Sequence, residues 1–361
     1  MNKNILGYLA NYNMPRIGEN RRYNEIDGLV FAIFSSAPIG PDVRWLKDFF
    51  PIDPIGKTMG ELSEILIDID NNDLLSCRFG FSISGDYGNH LEFFTHIAMN
   101  NRYKGIKITG FDYSNDGFCQ FSAFTFKICA EEYVIAYRGT DNSLEGWYES
   151  IRLFHDNVAS RQLALNYLQS EIEKNKGVFR LVGYSKGGHL ALCAAIMSDT
   201  RLKTNIRSII NYDGPGLSTE FIEKYHKSIL LLQHKVYRFS PANALISSML
   251  FGHDIMCYEK NKRYIKPYGL KMPPTQHNYF NWLVVEGKFK QAPRSSLSIS
   301  FQNVSERVHH LYSLKELERI SEQIYAQASG IYKDEDNVLS QFDVLTFFFT
   351  IALKLMAASR E

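Results

Sequence analysis

The sequence is short of the residues that staple small proteins or hold structural metals. Its five cysteines, Cys77, Cys119, Cys129, Cys193 and Cys257, are odd in number and include no close pair. Neither a disulfide framework nor a zinc site is read from them. That usage fits a reducing compartment and a cytoplasmic location. An excess of one charge sign is missing too. The net charge of +1 argues against a general nucleic-acid binder, which needs a basic surplus to neutralise phosphates. Long apolar runs are also absent. Ile5-Leu6-Gly7-Tyr8-Leu9-Ala10, after Lys3, is too short for a secretory apolar region. Val344 to Ala358, broken by Lys354, falls below the roughly 20 residues that cross a bilayer. It reads as a buried or amphipathic helix and leaves peripheral membrane contact open.

What is present is core-forming material. Hydrophobic residues make up 45% and charged residues 22% of 361 residues, enough for one large α/β domain. The chain divides into a mainly helical segment (1–104), a core (105–294) and a helical C-terminal segment (295–361). In the first, residues 22–36, 58–70 and 90–101 carry helical periodicity, and the stretch holding Gly80, Gly85 and Gly88 reads as loop. The pattern then changes. Phe121 to Cys129 and Tyr133 to Tyr137 are β-rich runs flanking Ala130-Glu131-Glu132, which predicts a hairpin. Beyond it, helix 157–174 and the apolar run Val178 to Val182 are followed by helix 189–198, strand 207–212, helix 218–228 and strand 235–240. Such alternation implies a mostly parallel sheet flanked by helices, with ligands at the carboxyl ends of its strands. Residues 255–294 read as loop-rich and basic, with eight Lys/Arg against two Glu. Two closing helices are expected at 313–328 and 338–358.

The densest information lies at Gly183-Tyr184-Ser185-Lys186-Gly187. A Gly-x-Ser-x-Gly pattern between an apolar strand and a helix-like run is the setting of a nucleophile elbow. The turn strains the serine backbone, and Gly183 and Gly187 stand where side chains would collide across the strand–helix crossing. The hydroxyl emerges beside a helix N-terminus, which favours an oxyanion.

A serine hydroxyl needs a base, and that base needs an orienting carboxylate. In this arrangement the chain order is Ser, Asp or Glu, His. Among the histidines after Ser185, His189 lies on the elbow helix and points along it. His226 and His234 flank an inner strand, and His309 and His310 fall in a surface segment. His277, in the loop Pro273-Pro274-Thr275-Gln276-His277-Asn278 with Trp282 to anchor it, is the preferred base. Asp213, at the end of a strand and held by Gly214-Pro215-Gly216, is the preferred acid. Asp254, after the next strand, is its rival. The oxyanion donors are assigned to the backbone N–H of Lys186 and to Thr140, in the loop Tyr137-Arg138-Gly139-Thr140-Asp141. Arg138 is read as bracing that loop.

Tyr-Arg-Gly-Thr followed by a Gly-x-Ser-x-Gly elbow resembles the class 3, fungal-type lipases. The chain is more closely similar to the Mbeg1-like branch of the α/β hydrolases. The resemblance runs through Arg138-Gly139-Thr140-Asp141 with Trp147, Gly183 to Gly188, Tyr212-Asp213-Gly214-Pro215-Gly216, Gln276-His277 with Trp282, and Tyr23-Asn24-Glu25-Ile26-Asp27-Gly28-Leu29. It implies an α/β-hydrolase fold and lipase or esterase activity. The elbow departs from the usual Gly-His-Ser in carrying Tyr184, at a position expected to pack under the sheet. The lipases' acid would fall near Asn243, which is not a carboxylate, and this leaves the role to Asp213 or to its rival Asp254.

The sequence therefore predicts a serine hydrolase acting on carboxylic, including lipid, esters, with Ser185, His277 and Asp213 as a triad and with no metal or organic cofactor. The basic stretch 255–294 is a candidate for attracting anionic head groups. Acyltransferases and thioesterases use the same machinery. A non-catalytic hydrolase-fold binding protein is the alternative from a different class.

Overall fold

The computed structural model describes residues 3–18, 22–37, 52–70, 87–115, 119–140, 158–250, 253–268 and 273–311, with a few isolated positions besides. Among these, seven strands form one sheet in sequence order. β1 (Lys107–Asn115), β2 (Gln120–Cys129) and β3 (Glu132–Tyr137) form an antiparallel meander. From β3 onward, β4 (Val178–Tyr184), β5 (Ile206–Tyr212), β6 (Val236–Pro241) and β7 (Lys262–Ile265) run parallel. The parallel strands carry near-continuous apolar runs such as Leu181-Val182 and Ile209-Ile210, as strands buried on both faces must.

One face of the sheet is covered by α1 (Ile5–Leu9), α2 (Glu25–Phe34), α3 (Met59–Asp70) and α4 (Tyr87–Met99), whose apolar residues join Phe126, Val182 and Tyr212 in one core. α2 is buried all round, as its sequence EIDGLVFAIF requires. Asn24 caps it by accepting from the Ile26 and Asp27 N–H groups, and Asp27 accepts in return from the Asn24 N–H at 2.7 Å, a capping box. Asp27 also accepts from Arg102 Nε and Nη2 at 2.7 Å each and from the Tyr103 hydroxyl at 2.7 Å. Gly28 is small because a Cβ there would stand 2.2 Å from the Tyr212 hydroxyl, which donates to the Glu25 carbonyl. The opening-helix motif thus docks α2 across β4, with Tyr212 of β5 reaching up to its first turn.

The other face carries α5 (Ala159–Lys174), α6 (Lys186–Met197) and α8 (Thr219–Leu232), with the short α7 (Thr200–Asn205) leading into β5. Three elements differ from the sequence reading. β1, over residues to which the sequence reading assigns no element, is the first. It is an edge strand interrupted by Gly110, whose missing side chain makes room for the Glu171 carboxylate of α5, 2.5 Å from where a Cβ would lie. β7, Lys-Arg-Tyr-Ile, lies inside the segment read as loop. Two cations in four residues erase its apolar signature, and its outer side is met by Gln291, where the Ala292 N–H donates to the Tyr264 carbonyl and the Lys266 N–H to the Lys290 carbonyl, at 2.8 Å each. Gly88, read as loop, lies in α4. A small hairpin, β8 (Val284–Val285) with β9 (Lys288–Phe289), and helix α9 (Ser296–Leu311) complete the described chain. The predicted helix 338–358 lies outside the described residues, and 313–328 is described only at four helical positions. Among the described residues no helix is long and apolar enough to cross a membrane.

Candidate active site

β4 ends at Tyr184 and α6 begins at Lys186. The single residue between them, Ser185, has φ 55° and ψ −129°. That left-handed backbone is strained for any residue with a Cβ, and it is the elbow's geometry. The turn is locked because the Ser185 N–H donates to the Tyr212 carbonyl at 2.9 Å. A Cβ on Gly183 would stand 2.2 Å from Gly187, and one on Gly187 would stand 2.0 Å from the Tyr137 carbonyl. The two glycines are therefore demanded by backbone approach.

The structure brings Ser185, His277 and Asp213 into one line. Ser185 Oγ lies 3.1 Å from His277 Nε2, and His277 Nδ1 lies 2.7 Å from Asp213 Oδ2. Asp213 is buried, while Ser185 and His277 are half-buried. Asp213 also has a positive φ of 50°, held because its N–H donates to the Phe239 carbonyl at 2.8 Å. The Gly214 N–H next in the turn donates to Asn211 Oδ1 at 2.7 Å. The rival acid Asp254 sits in the short helix His253–Met256, and its side chain lies outside the described residues.

The His277 loop is fastened on several sides. Buried Trp282 donates its indole N–H to the Gln276 carbonyl at 2.8 Å. Gln276 Oε1 accepts the Asn243 N–H at 3.3 Å. Asn243, where the lipases' acid would fall, thus supports the loop by its backbone. Tyr184 does more than pack under the sheet. Its ring stacks on the His277 imidazole and its hydroxyl donates to the His277 carbonyl. Burial pushes the Tyr184 phenol far above its ordinary range, with Tyr279 and Asp213 adding to the effect, so the hydroxyl stays a donor.

As the first residue of α6, Lys186 presents one of the unpaired N–H groups of a helix start. Thr140 is half-buried, with its hydroxyl 2.5 Å from Ser150 Oγ. The loop before it crosses the elbow closely, since a Cβ on Gly139 would lie 2.8 Å from the Tyr184 carbonyl. Arg138 is buried, and its backbone N–H donates to the Ser122 carbonyl at 2.9 Å. Asp141 and Trp147 lie outside the described residues.

One arrangement was missed in the sequence. The Lys186 ammonium is buried and donates to Glu149 Oε2 at 2.7 Å and to the Gln120 carbonyl and Oε1 at 2.6 Å each. Gln120 in turn donates from Nε2 to the Gly139 carbonyl at 3.3 Å. A single buried network therefore joins the two segments expected to supply oxyanion donors. Burial alone would raise the Glu149 pKa, but the Lys186 charge and hydrogen bonds from Lys186, Ser160 and Gln120 hold it below its usual value. The overlooked signal was a lysine in the first turn of a helix, where the macrodipole disfavours a cation and a carboxylate partner is called for.

His189 is fully buried. Its Nδ1–H donates to the Gly216 carbonyl at 2.7 Å, which leaves Nε2 to accept from Arg161 Nε at 3.0 Å. Burial, then the Arg161 charge, push its pKa well below the ordinary value. It is a neutral brace for the turn after Asp213. His226 and His234 are exposed, and the side chains of His253, His309 and His310 lie outside the described residues.

The Mbeg1-like family model matches residues 97–326, well over half of the chain. The chain belongs to the Mbeg1-like family. Its fold is that of the α/β hydrolases, as the sheet order and elbow display. No curated protein matches this Mbeg1-like chain. Solved structures similar to it include Lip2 lipase from Yarrowia lipolytica, 14% identical over 61% of this chain and 81% of that one, with a TM-score of 0.34. Another is M37 lipase, 17% identical over 68% and 77%, with a TM-score of 0.36. Lipase II from Rhizopus niveus is 14% identical over 72% and 96%, with a TM-score of 0.34.

Proposed function

We propose that this Mbeg1-like chain is a serine hydrolase of carboxylic esters, lipid esters among them. The observation that best supports the reading is the unbroken line from Asp213 Oδ2 through the His277 ring to Ser185 Oγ, at 2.7 and 3.1 Å. In this reading His277 Nε2 takes the hydroxyl proton as Ser185 Oγ attacks the acyl carbon. Asp213 fixes the Nδ1–H tautomer and stabilises the imidazolium. The Lys186 N–H and Thr140 hold the oxyanion. His277 then protonates the leaving alcohol, and a water activated by the same base releases the acid from the acyl-enzyme. A protein using the fold only for binding has no need to keep the three groups in line at a strained serine.

The test is intact-mass analysis after treatment with a fluorophosphonate, followed by peptide mapping. A single adduct on Ser185, absent from a folded Ser185→Ala variant, is the expected result. A folded wild-type protein that stays unlabelled, or is labelled elsewhere, overturns the reading.

A further inference from the structure

Ser150 settles which way the hydroxyl of Thr140 is turned. Its Oγ lies 2.8 Å from the Gly146 carbonyl oxygen and 2.5 Å from Thr140 Oγ1. A serine hydroxyl carries one proton and a carbonyl oxygen carries none. The Gly146 contact is the back-bond a helical serine makes to the residue four before it, and it takes the Ser150 proton. The proton between the two hydroxyl oxygens is then that of Thr140. Among the described residues the Thr140 hydroxyl meets Ser150 alone. Its O–H is thus spent on Ser150. The main chain differs. Among the described residues the Thr140 N–H meets no acceptor, and neither does the Lys186 N–H.

The residue before Ser150 holds Lys186. Glu149 Oε2 accepts from the Lys186 ammonium at 2.7 Å and from the Gln120 N–H at 3.1 Å, and Oε1 accepts from the Ser160 N–H at 3.2 Å. Glu149 and Ser150 are both helical, and neighbours on a helix project about 100° apart. One stretch of chain therefore reaches Lys186 with one residue and Thr140 with the next. An oxyanion site works through donors fixed beforehand where the charge will develop. For the Thr140 hydroxyl to serve there, both bonds of Ser150 would have to be rearranged. The Thr140 N–H needs no such change.

We infer that Ser150 is the positioning residue of Thr140: it takes the Thr140 hydroxyl as an anchor and leaves the Thr140 backbone N–H as the donor to the oxyanion. The inference rests on the hydrolase reading and adds which atom of Thr140 acts and what holds it.

The reaction of Ser185 with a fluorophosphonate, followed by intact mass over a range of reagent concentrations, tests it on the full chain. Thr140→Val keeps the N–H and removes the hydroxyl; Ser150→Ala removes the other half of the anchor. Each should lower the limiting rate about tenfold, the scale of one neutral hydrogen bond, with the half-saturating concentration unchanged. The double variant should be no slower than either single one, because both lose the same bond. Ser150→Thr, which keeps a hydroxyl, should restore the wild-type rate. A Thr140→Val protein slower by a hundredfold or more has lost an oxyanion donor, and that result alone overturns the inference. So do single effects that multiply in the double variant, and limiting rates that neither variant lowers. A folded wild-type chain whose Ser185 does not react sinks the hydrolase reading, and this inference with it; in each of the other failures Ser185 still reacts.

Discussion

The Tyr184 ring lies 4.7 Å, centroid to centroid, from the imidazole of His277, inclined by 24°, while its hydroxyl reaches the carbonyl of the same residue. Tyr184 therefore holds His277 by both its ring and its backbone. Tyr184→Phe keeps the stack and removes the hydrogen bond. A loss of about 1 kcal/mol in stability is expected, with a less than tenfold slower reaction of Ser185 with fluorophosphonate. Tyr184→Ala removes the stack too and should cost about 3–5 kcal/mol. Urea unfolding and labelling rates check both. A Tyr184→Phe protein with wild-type stability means the hydroxyl does not anchor the loop.

Asp213→Asn separates fold from chemistry. Asn tolerates the positive φ of this site, so circular dichroism and the melting curve should change little. Ester hydrolysis should fall by about 10⁴-fold, the scale expected when the base loses its orienting charge. Hydrolysis within tenfold of wild type would move the acid elsewhere, with Asp254 next to be tried.

Lys186 and Glu149 form a buried pair, 1% and 2% exposed. Lys186→Met strands the carboxylate and should cost about 3–5 kcal/mol. Adding Glu149→Gln should recover much of that loss, so the double variant is more stable than the sum of the single effects predicts. Urea unfolding of the four proteins measures the coupling; strict additivity would dissolve the pair.

The lowered pKa of His189 gives stability a pH dependence with a definite sign. The unfolded chain titrates near the ordinary 6.5, and the folded chain binds that proton only at much lower pH. The contribution is therefore complete above 6.5 and lost as pH falls from there towards the folded value. The wild-type melting temperature should drop between pH 7.5 and 5.5, and His189→Gln should flatten that part of the profile. Equal slopes in the two proteins would assign the acid sensitivity to another group.

The fold was legible where periodicity and glycine placement are local. Gly183 and Gly187 announce a crossing of strand and helix, and the apolar runs around Leu181 and Ile209 announce strands covered on both faces. Ser185, His277 and Asp213 were legible as a set because the order of residue types along the chain narrows the choice. β1 and β7 were not, since edge strands need little apolar alternation and β7 is half cationic. The Lys186–Glu149–Gln120 network was hidden for a different reason. It joins three distant segments, and no local pattern shows that a lysine turns inward. Tyr184 was legible as a departure from the family, but its contact with His277 depends on how a remote loop folds back.

The His277 loop is also held from the other end of the chain. Asn4 Nδ2 donates to the Phe280 carbonyl at 2.9 Å, the Val284 N–H donates to the Lys3 carbonyl at 2.9 Å, and the His90 ring lies 2.6 Å from the Tyr279 hydroxyl. The stretch recognised as Mbeg1-like begins at residue 97, after every one of those N-terminal partners. The unit that heredity marks most clearly is thus smaller than the unit that keeps His277 in register. A fragment cut at the family boundary would retain Ser185 yet surrender the scaffolding of His277.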